Sequence, residues 1–398
     1  MKYKFPEIKN IKDVMPYVDL NYFMLADRGD HTTVNYLFSS PDTFPDITDE
    51  ASIMRREFRG LIFDAVTGDL VRRPYHKFFN VGERVDTKLD VIDVSKPHAI
   101  LDKLDGSMIV PYKVNGRLIW GTKMGETDVS KQVLPFLEEN PDYVRFAEQA
   151  IVEGYSPIFE WCSRKQRIVL DYKKDKLVLT AIRNMHTGNY LIPSDIASYV
   201  VGYDIEVVKS ISGEKLSEKF IDQVRQISDV EGFVIRFDDG HMVKIKCDWY
   251  CQLHRVKSDI QYERGVVQLI LDEKIDDLKS MMTDDDLNKI NTYEKAFLAT
   301  FGDNCYIVKQ VISQVRKSWC DRKWFALNIA PYQPSWVTAI TFKLWDALDD
   351  DLDNLVQEQL KSFYIKGCGR NSRFNELRSD RMLFTNVPEW NGVYLDGD

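Results

Sequence analysis

The chain has 398 residues, with 53 lysines and arginines against 62 aspartates and glutamates, a net charge of −9. Its 44% hydrophobic and 29% charged residues describe a soluble globular protein long enough for two or three domains. The acidic balance argues against non-specific coating of nucleic acid and leaves room for a local basic groove. No run approaches the roughly 20 apolar residues of a membrane span, and nothing near the start resembles a signal peptide. The cysteines (Cys162, Cys247, Cys251, Cys305, Cys320 and Cys368) are scattered, which fits reduced thiols and a cytoplasmic setting better than a disulfide framework.

In chain order, the first informative strand signal is "EFRGLIFD", with Arg59-Gly60, followed by "RRPYHKFFNVGE", with Lys77, Phe79 and Asn80. Next, "ILDKLDGSMIV" sets Lys103 two places before Asp105-Gly106-Ser107. The runs "MIVPYKV" and "RLIWGTK" flank Asn115-Gly116, a two-residue hairpin turn. That register predicts Lys123 opposite Met108 and near Lys103. Two ammonium groups facing one pocket would each lower the other's pKa, and a free amine is what a lysine nucleophile requires. Taken singly, each lysine is explained as well by a solvated turn or strand end.

Residues 129 to 151 read as helix. "SPIFEWC", with Glu160, and "KLVLTAIRN" read as strands, Thr187-Gly188-Asn189 as a turn, and 214 to 228 as a further helix. A second hairpin is "EGFVIRFDDGHMVKIKCDWY". It opens at Glu231-Gly232, turns at Asp239-Gly240 and returns through Lys244 and Lys246 toward Tyr250. Period two puts both lysines on one face, and a two-residue turn sets Lys246 opposite Phe233, beside Glu231. An exposed cross-strand ion pair, worth under about 1 kcal/mol, would account for this grouping. As a site it supplies cations for a polyphosphate and an acid for a metal-bound water.

Beyond about residue 255 the pattern becomes helical. "GVVQLILDEKIDDLKSMM" places Val266, Val267, Leu269, Ile270, Leu278 and Met281 near helical spacing, and "AITFKLWDALDDDLDNLVQEQLKSFY" also reads as helix. The acidic run Asp349 to Asp351 reads as a solvated helix face. The expectation is an α+β domain over 1–255 and a mostly α-helical C-terminal domain over 256–398. In the latter, "RKSWCDRKWF" sets Arg316, Lys317, Arg322 and Lys323 around Trp319 and Trp324. That interleaving suits phosphate contacts and base stacking. An amphipathic helix with tryptophan in the core and a solvated basic face suits it equally.

Several common chemistries are excluded. No glycine is followed by lysine, so there is no Walker A loop. The six histidines form no HExxH or His-x-Glu pattern, which removes zinc hydrolases and deaminases.

Four pieces in order, "KLDGS" at 103, "FEW" with Glu160, "EGFV" at 231 and "KIK" at 244, resemble the covalent nucleotidyltransferases, the superfamily of polynucleotide ligases and capping enzymes. The arginine-glycine strand and "KFFN" narrow the resemblance to the bacteriophage-type RNA ligase 1 family, over about residues 35 to 255. It implies an antiparallel-sheet nucleotidyltransferase domain and a three-step reaction. Lys103 would attack the α-phosphorus of ATP and carry AMP, AMP would pass to an RNA 5′-phosphate, and a 3′-hydroxyl would displace it. Mg²⁺ or Mn²⁺ would neutralise phosphates.

Carried over residue by residue, the resemblance gives Arg59 and Lys77 to phosphates, sets Phe79 near the nucleotide and has Glu160 hold the ribose. Glu231 would orient metal-bound water. Lys123, Lys244 and Lys246 would grip the α-phosphate and leaving group, and Asp105, Gly106, Gly232 and Tyr250 would complete the ATP site. The expected partner is RNA with 5′-phosphate and 3′-hydroxyl ends, such as a cleaved tRNA, in the cytoplasm of an infected bacterium. A DNA ligase or capping-type enzyme, and a non-catalytic RNA-binding or viral structural protein, are the rival readings.

Overall fold

Alternating apolar residues build the first half of the chain and helical periodicity the second. The computed structural model describes residues 4–165, 168–279, 284–348 and 351–392. Met281, and Asp349 and Asp350 of the acidic run, lie outside the described residues. Two compact units divide the chain, one ending at His254 and the other beginning at Arg255.

The first unit holds three sheets. One is the four-stranded meander β1 (Phe23–Asp27), β2 (His31–Tyr36), β3 (Arg59–Asp64) and β4 (Leu70–Arg72). The second joins β5 (Phe79–Asn80), β6 (His98–Lys103), β12 (Ser210–Ile211), β13 (Gly232–Phe237) and β14 (Met242–Lys246) in the order β12-β6-β13-β14-β5. The third joins β7 (Ser107–Val114), β8 (Arg117–Gly121), β9 (Tyr155–Cys162), β10 (Lys176–Asn184) and β11 (Glu206–Val207) in the order β11-β10-β9-β7-β8. Pairing is antiparallel except at two edges, β10 with β11 and β14 with β5.

Two of these sheets bury one face under helices. Phe233, Ile235, Val243 and Ile245 pack on Phe220, Ile221 and Val224 of the helix Glu218–Arg225. Ile109, Phe159, Trp161 and Leu177 pack on Tyr143 and Phe146 of the helix Pro141–Val152. Period two then commits Lys244 and Lys246 on one sheet, and Met108 and Glu160 on the other, to the opposite faces. These faces carry the candidate site.

The expected helix over 129 to 151 is three helices, Asp128–Lys131, Leu134–Glu139 and Pro141–Val152. Pro135 and Pro141 lack the N–H that a continuous helix needs and instead open new first turns.

The second unit is helical, around a core that includes Val267, Tyr293, Phe297, Trp336, Leu360 and Tyr364. Its longest helix is Asp284–Lys317. The single helix expected over 266 to 281 breaks at Glu273, whose φ of 58° is left-handed, into Glu263–Leu271 and Ile275–Lys279. Likewise 339 to 364 divides between Ser335–Lys343 and Leu352–Cys368. Among the described residues no helix is long and apolar enough to cross a membrane.

Candidate active site

Strand register assembles the centre. β6 pairs Lys103 with Gly232, and β14 pairs Lys246 with the same glycine. Glu231, one residue before, therefore lies between two lysines. Its Oε1 accepts from Lys103 Nζ at 2.7 Å and Lys246 Nζ at 2.9 Å, and its side chain is 3% exposed. The expected pairing of Lys246 with Phe233 is off by one. The turn is the three-residue Asp238-Asp239-Gly240, with Gly240 at φ +93° and its N–H donating to Phe237 O at 2.9 Å.

Gly232 has φ +141°, and a Cβ there would stand 2.0 Å from the Ile245 carbonyl oxygen. A Cβ on Gly106 would stand 2.3 Å from Trp161 O. Both glycines thus admit a neighbouring strand. Gly232→Ala is expected to cost at least about 1–3 kcal/mol and to pull Lys246 off Glu231. A lowered urea midpoint together with lost adenylate formation checks it.

Charge sets the protonation states. Burial works against the Lys103 ammonium, but Glu231, Glu160 and Asp105 outweigh it and raise its pKa. The mutual lowering expected from Lys123 is therefore corrected. Burial opposes the Glu231 carboxylate too, yet Lys103 and Lys246 hold it below its ordinary value. The depressed lysine is Lys244, lowered to about 7 by burial and by Lys103, Lys246, Lys77 and Arg59.

On the facing sheet, Glu160 pairs with Met108. Burial, with Glu231 adding and Lys103 opposing, raises its carboxyl to about 7. A raised folded pKa means that the folded chain holds the proton longer than the unfolded one as pH rises. Stability from this group is complete below about pH 4.5 and is lost as pH rises toward 7. In the nucleotide-free protein, Glu160→Gln is expected to remove that loss, about 3 kcal/mol by pH 7. Urea midpoints at pH 5 and pH 7 check it, and equal slopes for both proteins refute it.

The expected pairing of Lys123 with Met108 does not form. The β7–β8 ladder ends at Val110 with Gly121, and Lys123 sits in a tight turn closed by Thr122 N to Gly125 O at 2.9 Å. Buried Arg72 pins this turn, donating to Thr122 O at 2.8 Å and Lys123 O at 3.3 Å. Gly60, at φ +90°, leaves room for it, since a Cβ would meet Lys123 O at 2.5 Å.

The Lys123 amine lies 3.4 Å from Tyr36 Oη and 5.0 Å from its ring, and Lys77 lies 5.1 Å from the same ring. Burial raises the Tyr36 phenol, but Arg59, Lys123 and Lys77 together bring it below its ordinary value. Three of the expected phosphate cations thus gather around a tyrosine that carried no motif. Only the pairing of β2 with β3, Asn35 opposite Arg59, delivers it.

Three expected nucleotide contacts are turned inward. Asp105 accepts from Val169 N at 2.7 Å, Leu170 N at 2.6 Å and Tyr250 Oη at 2.7 Å, so its carboxylate anchors the loop after Lys103. Tyr250 is spent on that bond and lies under Lys246 at 5.0 Å. Phe79 is 1% exposed, in a core with Phe44 and Phe58. Phe78, just before the strand, lies 5.8 Å from Lys244.

In the second unit, Arg316 donates to Ala347 O, and Arg322 pairs with Asp346 at 2.7 Å. Lys317 and Lys323 are exposed. Trp319 is 95% exposed and Trp324 47%, so neither is core.

Among the described residues no group of three or more His, Cys, Asp or Glu could cage a metal. Glu231 and Glu160 suit an ion that keeps its waters and arrives on a triphosphate, as Mg²⁺ does.

Comparison with known proteins gives two family models in succession: RNA ligase over residues 57–250, and T4 RNA ligase 1, C-terminal domain, over residues 257–366. A Thermovibrio ammonificans protein provisionally named an RNA ligase is 29% identical over 271 residues, 66% of this chain and 68% of that one. RNA ligase 1 of bacteriophage TS2126 is 24% identical over 265 residues, 63% of each chain. The solved structure of an archaeal ATP-dependent RNA ligase is 12% identical at a TM-score of 0.45, covering 70% of this chain and 76% of that one. The two matched stretches run consecutively over most of the sequence, and the chain belongs to the RNA ligase family of the T4 RNA ligase 1 type.

Proposed function

We propose that the protein is an ATP-dependent ligase that joins an RNA 5′-phosphate to a 3′-hydroxyl through AMP carried first on Lys103 and then on the RNA 5′ end. The observation that carries this reading is the sharing of Glu231 by Lys103 and Lys246, beside Lys244, Arg59 and Lys77. In the first step Lys103 Nζ forms a bond to the α-phosphorus of ATP as the bond to pyrophosphate breaks. Lys244 and Lys246 face the α-phosphate, and Arg59, Lys77 and Lys123, gathered at Tyr36, take the departing phosphates. Glu160 holds the ribose. Glu231 keeps Lys103 and Lys246 in register until the amine of Lys103 gives up its proton. Glu231 would help hold a divalent ion, Mg²⁺ or Mn²⁺, which would supply charge neutralisation at the phosphates.

RNA with a 5′-phosphate then takes AMP as a 5′–5′ diphosphate, and attack by a 3′-hydroxyl releases it. A cleaved tRNA in an infected bacterium suits this reading. The test is intact mass after incubation with ATP and Mg²⁺, then addition of 5′-phosphorylated RNA. A gain of one AMP, discharged into a sealed RNA, is expected. No adduct with ATP after pyrophosphatase treatment, or an adduct only with GTP, overturns the reading.

A further inference from the structure

The second unit contains a cavity of about 420 Å³ that the adenylylation chemistry does not use. Its volume lies in the roughly 300–1,000 Å³ range of small-ligand pockets. Trp319 and Trp345 line it with Ile312, Val315 and Cys320, and Thr341 and Arg316 are its polar members. Thr341 is 1% exposed, and among the described residues its hydroxyl has no hydrogen-bond partner. A helical threonine commonly bonds the carbonyl four residues back. Here a buried hydroxyl is left unmatched on a residue that lines a cavity, an arrangement that costs free energy and that a turn of the side chain toward a ligand in the cavity would relieve.

Trp319 adds an independent peculiarity. It follows the helix Asp284–Lys317 in the left-handed region at φ 49°, where glycine or asparagine is usual. Its indole is nonetheless 95% exposed. Neither the strain nor the exposed apolar ring is repaid by packing within the unit. Around it Arg316, Lys317, Arg322 and Lys323 supply positive charge within eight residues; Arg322 is paired with Asp346 and Arg316 donates to Ala347 O, while Lys317 and Lys323 are exposed. Arg322 also lies 5.8 Å from the Trp345 ring.

We propose that this cavity receives one unstacked nucleobase of the RNA being joined, with Trp319 as stacking face, Thr341 Oγ1 bonding the base edge and the flanking cations meeting the adjoining phosphates. A base offers the flat π-face and the edge donors and acceptors that these groups match. The cation fringe favours a polyanion over an apolar protein segment. The assignment rests on the RNA-ligase reading and adds a base-reading subsite to it.

The test uses the full chain and a fluorescent, single-stranded, 5′-phosphorylated oligoribonucleotide, with affinity read by anisotropy. Trp319→Ala is expected to weaken binding about ten-fold, and Thr341→Val about three-fold. On an abasic oligomer of equal length the Trp319→Ala penalty is expected to vanish. Unchanged affinity of both variants for base-bearing RNA overturns the proposal, as it would if a protein segment filled the cavity. An equal penalty on abasic RNA overturns it too. Thermal melting verifies folding, and Thr341→Val, which replaces the hydroxyl with a methyl group of similar size, carries the test alone if the other variant does not fold. Lysyl-AMP formation is scored separately on the wild type, so failure of the ligase reading is seen without reference to these affinities.

Discussion

Lys103→Ala and Lys103→Arg are both expected to gain no AMP mass and to seal no RNA, while differing in stability. Neither can form the bond to phosphorus: alanine has no nucleophile, and arginine stays protonated throughout the accessible pH range. Loss should reach the detection limit, at least about 10⁴-fold, because the covalent intermediate has no other route. The two part at Glu231. That carboxylate is buried and its Oε1 is shared by Lys103 and Lys246. Alanine removes one of the two charges that hold it ionised, so its pKa should climb and the fold should soften. Arginine keeps the charge. Melting temperatures should therefore fall further for alanine than for arginine at equal inactivity. AMP on either variant would remove Lys103 from its assigned role.

Glu57→Gln should be the most damaging change away from the reacting atoms, costing about 3–5 kcal/mol. Glu57 is 2% exposed and pairs with Arg73 Nε at 3.0 Å and Arg183 Nη2 at 2.8 Å, both arginines fully buried. The remaining guanidinium donors reach carbonyls of Pro6, Pro74, His186 and Gly188. One carboxylate thus ties β3, the segment after β4, and β10. Without its charge, two buried cations face each other. Burial disfavours the Glu57 anion, but Arg183 and Arg73 overcome this and keep its pKa below the ordinary value. A depressed folded pKa contributes stability that is present above about pH 4.5 and lost as pH falls through the folded value. The variant should lack that acid-side slope. Arg59 lies two residues along, so adenylate formation should weaken as well. Urea titrations at pH 7 and pH 4 measure both the cost and its pH dependence, and a loss under 1 kcal/mol would contradict the argument.

Strands were the most legible part of the sequence. "RGLIFD", "KLVLTAIRN" and "GFVIRF" coincide with β3, β10 and β13, because one face of each is continuously apolar and turn residues bound them. Helix ends were less so, since a proline can break a helix or start one, and Pro135 and Pro141 do the second. Within the site, Glu231, Lys244 and Lys246 could be grouped from the sequence because one hairpin and period two nearly fix their geometry, whereas Lys103 joined them only through the family resemblance, since its pairing with Gly232 is a contact between strands distant in sequence. The one-residue error at Lys246 came from a turn length that "FDDGH" leaves open. Lys123 and Tyr36 were beyond reach for another reason. Their meeting depends on Arg72, Gly60 and the β2–β3 pairing, all set by contacts distant in sequence. Phe79 and Phe78 show the remaining ambiguity: of two adjacent identical residues at the start of a strand, only packing tells which is core.

The ion pair between Glu231 and Lys103 has a consequence for the enzyme at rest. An ammonium does not react with carbonyl or phosphoryl electrophiles, so the lysine that must turn over is kept chemically silent until a nucleotide changes its surroundings. Lys244, holding its proton only to about pH 7, is the amine in the same cleft that is open to a stray acylating agent. On the proposed reading, reactivity and catalytic duty thus fall on different lysines, and the nucleophile is armed by its own substrate.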